Sequence, residues 1–149
     1  MTVLHDAPIV PSQQPRSWSF VDRVTGERRS VTCMPGCATD HAADVESPTH
    51  PDDIYCARHL EDITLPINVA GEPEEFRVMG MMLSVNPFDR RVSQRLPHID
   101  LEVVDDHWIE GLDPDGLETV IGTLQARLEK MRAVHAELVR VRAEYRAAH

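Results

Sequence analysis

Cys33, Cys37 and His41 follow one another at intervals of four residues, and Cys56 and His59 lie fifteen and eighteen residues beyond His41. They sit in a segment with almost nothing apolar of its own. Pro35-Gly36, Ser47-Pro48 and His50-Pro51 interrupt any regular element between residues 34 and 59. Such a loop cannot bury enough surface to offset the entropy of ordering it, and a bound metal supplies what the absent core cannot. All three cysteines of the chain fall in this window. An odd number of thiols clustered in a chain expected to be cytoplasmic reads as metal ligands or redox groups rather than as disulfides.

Zinc takes thiolate and imidazole ligands in a tetrahedral set, and structural sites commonly draw two from each of two separated segments. Cys33 and Cys37 bracket Met34-Pro35-Gly36, where proline and glycine let the backbone fold around an ion. His41 is the third ligand of the expected Zn2+ site. The fourth is Cys56 or His59, one turn of helix apart or on neighbouring loop positions, with His50 a weaker candidate. His98, His107, His135 and His149 stand alone and read as ordinary surface or interface histidines.

A chain of 149 residues is long enough for one domain with a real core and too short for two ordinary ones. Its longest apolar stretch, Val78 to Leu83 with Gly80 inside it, falls far short of the roughly 20 residues a membrane span needs. The first sixteen residues lack the basic and apolar blocks of a signal peptide, which is the ground for expecting the cytoplasm. Charge is unevenly spread. Residues 1 to 32 hold four arginines against three acids, residues 33 to 126 five against nineteen, and residues 127 to 149 six basic residues against three acids. An acidic body argues against a general nucleic-acid binder, which needs a concentrated basic face. It leaves room for a basic partner or for duplex mimicry.

Residues 1 to 16, with Pro8, Pro11 and Pro15, read as a flexible leader. Trp18, Phe20 and Val24 run up to a Thr25-Gly26 turn, and Arg28 to Cys33 returns, a β-hairpin that delivers Cys33 to its end. Ile63, Leu65, Ile67 and Val69 alternate with polar residues and Pro66, an edge strand. A turn at Gly71-Glu72-Pro73 leads to Phe76 through Val85, apolar enough to suggest a strand covered on both faces. Phe88 to Leu96 reads as a loop, and Ile99, Leu101 and Val103 as a half-buried strand. These make an antiparallel meander of about four or five strands.

Asp113-Pro114 opens a helix with an N-cap residue and a proline at the first helical position. From Leu117 an apolar stripe runs through Ile121, Leu124, Leu128 and Met131. Beyond it the strict repeat demands His135 and Arg142, whereas the apolar residues are Val134, Leu138, Val141 and Tyr145, so the stripe slips. A helix to about Ala147 is roughly 50 Å long, against a radius of gyration near 15 Å for a domain of this size. It cannot all lie on its own sheet. The expected fold is therefore α+β: a small antiparallel β-sheet with a zinc-knit loop insert over residues 17 to 131, and one long C-terminal helix. That helix packs on the sheet first and then, over residues 132 to 149, forms a dimerisation element.

Cys-Met-Pro-Gly-Cys-Ala-Thr-Asp-His over residues 33 to 41, followed by Asp52-Asp53-Ile54-Tyr55-Cys56, resembles an actinobacterial domain family of unknown function. Its members read Cys-Pro-x-Trp-Cys-x-x-x-His and then Asp-Asp-hydrophobic-x-His, and the resemblance covers about residues 18 to 135. Gly36 stands where the family carries tryptophan, which implies the loss of an aromatic lid. Cys56 stands where it carries histidine. One zinc-competent side chain replacing another is what a ligand position tolerates, so the resemblance implies Cys56 rather than His59 as the fourth ligand. It implies a fold and no activity.

No His-Glu-x-x-His, deaminase signature, phosphate loop or nucleophile elbow occurs, which argues against an enzyme. The expected function is a non-enzymatic binding or regulatory protein, a homodimer held by a structural zinc and working through protein contacts. Alternatives are a nucleic-acid-binding regulator using Arg127, Arg132, Arg140, Arg142 and Arg146, a thiol-zinc redox switch in which Cys33 and Cys37 release the metal on oxidation, and a zinc hydrolase.

Overall fold

Turn chemistry fixes where the strands begin. The computed structural model describes residues 16 to 148, so the expected leader lies outside the described residues except for Arg16. Strands β1 (Ser17–Val21) and β2 (Arg28–Thr32) pair antiparallel, with Ser17 opposite Thr32 and Val21 opposite Arg28. Asp22 holds the turn between them: its buried carboxylate accepts the amides of Val24 at 2.8 Å and Thr25 at 3.2 Å, and the Arg29 guanidinium at 3.1 Å. The hairpin is a two-stranded sheet of its own.

The second sheet has five strands: β3 (Cys56–His59), β4 (Ile63–Val69), β5 (Glu72–Val85), β6 (His98–Val104) and β7 (His107–Leu112). β3 and β4 pair with β5 in one unbroken register, from Cys56 opposite Val85 to Val69 opposite Glu72. They behave as one long strand interrupted at residues 60–62. The connection to β5 is Ala70-Gly71, both with positive φ (51° and 91°), the requirement of a two-residue type I′ hairpin turn. The turn thus falls ahead of the expected Gly71-Glu72-Pro73, and Glu72 already belongs to the strand. β4 pairs only with β5, so Pro66 sits on an edge strand as its missing donor requires.

Coverage of β5 on both faces is not observed. Val78, Gly80, Ser84 and Val85 are buried, whereas Met79, Met81, Met82 and Leu83 are half-buried. An apolar run alone does not distinguish a strand covered twice from one covered once. Five elements lie where loops were expected or nothing was: α1 (Ala42–Glu46), a 3-10 turn at Pro51–Asp53, β3, α2 (Val92–Arg95) and β7.

Most of the buried apolar residues gather in two clusters, with Ala57, Val78 and Leu101 of the larger sheet outside both. Phe20, Val31 and Ile54 form one; Cys33, Met34, Cys37, Cys56 and Val85 form the other; Trp18 packs against both.

The chain divides into two compact units at Asp113/Pro114, and the second is the helix α3 (Pro114–Ala148). At 35 residues it is about 52 Å long. None of its residues is buried, and Ile121, Leu124, Leu128 and Met131 are 43% to 57% exposed. The expected division between residues 131 and 132 falls inside this one helix. Among the described residues no helix is long and apolar enough to cross a membrane.

Candidate metal centre

Local folding brings four of the expected side chains to one point. β2 ends at Thr32, and the next residue, Cys33, is pinned by its amide to the Arg16 carbonyl at 2.8 Å. The chain then turns through Pro35-Gly36, with the Cys37 amide donating to the Met34 carbonyl at 3.2 Å. Gly36 has φ +76°, the left-handed position that a type II turn places after proline. Ala38 donates to the Ala57 carbonyl at 2.9 Å, and Ala57 donates to the Thr39 hydroxyl at 3.0 Å. These two bonds tie the loop to β3. His41 caps α1, and Cys56 opens β3.

One donor atom from each of Cys33, Cys37, His41 and Cys56 lies within 4.8 Å of the others, and all four residues are buried. His41 Nε2 faces Cys37 Sγ at 3.6 Å and Cys56 Sγ at 3.8 Å. Its other ring nitrogen, Nδ1, is 3.1 Å from Asp44 Oδ2. A carboxylate on the far side of the ring is the partner that metal-binding histidines ordinarily have; it orients the imidazole and leaves Nε2 free to donate its lone pair. Trp18 stacks on the His41 ring with 4.3 Å between centroids, and its indole N–H donates to Cys33 Sγ at 3.3 Å.

Burial and neighbours drive two thiols apart. Burial raises the Cys37 pKa, but hydrogen bonds from His41, the Thr39 backbone and Cys56 outweigh it and bring the thiol down to about 6. Burial also raises Cys56, and with the neighbouring Cys37 and Cys33 it outweighs the Met34 amide and pushes this thiol up to about 12. The cluster does not accommodate three thiolates by itself. A cation removes the conflict, because coordination deprotonates a thiol outright. The donor set of three sulfurs and one imidazole, closed away from water, can hold a metal ion.

The reserve ligand, His59, stands outside the group. Cys56 and His59 occupy neither helix nor loop, as their spacing had suggested, but one strand; three residues apart, they project to opposite faces. His59 is exposed beside Met82. His50 caps the 3-10 turn, its ring accepting the Asp52 amide at 3.1 Å. The isolated histidines are not all surface residues, since His98 is buried with Nδ1 2.8 Å from the Leu96 carbonyl oxygen.

A Cβ at Gly36 would stand 3.0 Å from Arg58 Nη1, so the guanidinium occupies the space beside the turn, while Trp18 of β1 provides the aromatic cover. Asp44 and Trp18 were both missed by sequence reading. Asp44 was recoverable, lying one helical turn beyond His41; Trp18 depended on the hairpin register that sets it opposite Val31.

No curated protein and no solved structure matches this chain. Residues 18–140, a span close to that of the resemblance drawn from the Cys-His motif, match the model of DUF6907, a domain of unknown function. With most of its length covered from Trp18 on β1 well into α3, the chain belongs to the DUF6907 family.

Proposed function

We propose that Cys33, Cys37, His41 and Cys56 bind one Zn2+ as a structural staple in a non-enzymatic binding protein. The convergence of four buried donors carries this reading. For zinc with bonds of about 2.3 Å to sulfur and 2.0 Å to nitrogen, a tetrahedron has a sulfur-to-nitrogen edge of about 3.5 Å. His41 Nε2 stands at 3.6 and 3.8 Å from two of the sulfurs, which supports it. Four protein ligands fill a tetrahedral shell and leave no position for a water, which favours a structural over a catalytic role.

The binding role rests on the second unit. A helix of 35 residues with no buried side chain and a row of exposed Leu, Ile, Met and Val residues is an association element seeking a surface. In this reading the stapled unit is a rigid body and α3 joins it to a protein partner, a second copy first of all.

Metal analysis of the purified chain tests the zinc assignment. One zinc per chain is expected, with loss of stoichiometric binding in Cys33→Ala, Cys37→Ala, His41→Ala and Cys56→Ala and retention in His59→Ala. A protein purified without zinc that also fails to take it up refutes it.

A further inference from the structure

The apolar stripe of α3 keeps one of its two columns to the end. Positions seven apart from Leu117 are Leu124, Met131, Leu138 and Tyr145, all apolar or aromatic. The companion column begins with Ile121 and Leu128 and then becomes His135 and Arg142. The stripe therefore does not simply rotate away; half of a coiled-coil seam persists, and the other half turns polar near the C-terminus.

Charge along the helix is graded in the same direction. Asp115 and Glu118 stand near its start, with no basic residue before Arg127. Arg140, Arg142 and Arg146 stand near its end, where Arg140 pairs with Glu144 at 2.7 Å. No ion pair involves Glu118 or Arg146 among the described residues.

A parallel pairing of two copies stacks His135 on His135 and Arg142 on Arg142, and places Arg127 beside Arg132. Like charges then meet in the seam and along its flank. An antiparallel pairing sets each polar position opposite an apolar one, His135 against Met131 and Arg142 against Leu124, with Leu128 against Leu138. In the same register Glu118 of one copy faces Arg146 of the other, twice per dimer, against a single like-charge contact of Arg132 with its own counterpart, and the helix dipoles oppose favourably.

We propose that α3 pairs antiparallel with α3 of a second copy of this chain in that register. This rests on the reading of α3 as an association element. Glu118 and Arg146 are 28 residues apart, about 42 Å along one helix, so they can couple only through the partner.

The test is a charge-reversal cycle on the full metal-loaded chain, with dimer dissociation constants from analytical ultracentrifugation. Glu118→Arg and Arg146→Glu are each expected to weaken the dimer about five- to tenfold, since each disrupts two exposed pairs, and the double variant is expected to recover most of that loss. A chain that stays monomeric at every concentration overturns both the association reading and this pairing. A dimer in which the two reversals simply add overturns the antiparallel register and leaves the association reading standing.

Discussion

Stripping the metal is expected to release both apolar clusters of the first unit, not the cysteine loop alone. Three of the five residues in one cluster are the sulfur donors themselves, and the other cluster shares Trp18 with it. A ligand present at a thousandfold over its dissociation constant stabilises the folded state by about 4 kcal/mol. For a unit of this size that corresponds to a fall in Tm of about 10 to 20 °C when the metal is removed. Because apo Cys56 is pushed up to about 12, its folded pKa lies above the ordinary value of 9.0. The apo protein should therefore lose further stability as pH rises above about 9, where the unfolded thiol ionises and the folded one does not. Trp18, stacked on His41 and donating to Cys33, is a built-in reporter. In a Trp108→Phe background, chelation should shift its emission to the red in step with the fall in Tm. If metal analysis shows the zinc gone while Tm moves by less than about 1 °C and Trp18 emission is unchanged, the cluster is not a staple.

Two other outcomes follow from individual side chains. Asp44→Asn keeps the shape at His41 Nδ1 but removes the carboxylate, and should weaken metal affinity about 10- to 100-fold in a competition titration with a chromophoric chelator, with the fold retained by circular dichroism. Glu102 is buried, held by Arg77 and accepting the Asp106 amide at 3.0 Å; the Arg77 hydrogen bond is the main reason its carboxyl lies below the ordinary value of 4.5. Its contribution is present above pH 4.5 and lost as pH falls through the depressed folded value, so Glu102→Gln should lower the denaturation midpoint at neutral pH and flatten its decline in acid.

The cluster was legible because cysteine and histidine are scarce and their chemistry is narrow: Cys33, Cys37 and His41 at regular spacing beside Pro35-Gly36 point to an ion whatever the fold. The fourth position was not legible from spacing. Cys56-Ala57-Arg58-His59 has no alternation that marks a strand; it becomes one because β5 continues past β4 and offers its edge in the same register. Only then does strand parity turn His59 away. β7 was missed for a similar reason, being six residues long with Gly111 at φ +69°. The helix was read almost to the residue, since its cap and stripe are local; whether anything covers that stripe is not a local property.

The site's place in the first unit shows what a bound metal would contribute against the desolvation of four donors. The hairpin and the five-stranded sheet share no backbone ladder. Cys33 comes from the end of the hairpin, Cys37 and His41 from the connecting loop, and Cys56 from the first strand of the larger sheet. Apart from this cluster, the hairpin's fully buried apolar contacts are Phe20 and Val31 against Ile54. Ordering the connecting segment costs backbone entropy that grows with every residue fixed. A segment of more than twenty residues between Cys33 and Cys56 cannot be held by that burial. An ion bound by Cys33 at the end of the hairpin, by Cys37 and His41 on the loop and by Cys56 on the larger sheet would hold all three pieces at one point, and Trp18, lying against His41 and both clusters, would transmit that constraint to its neighbours.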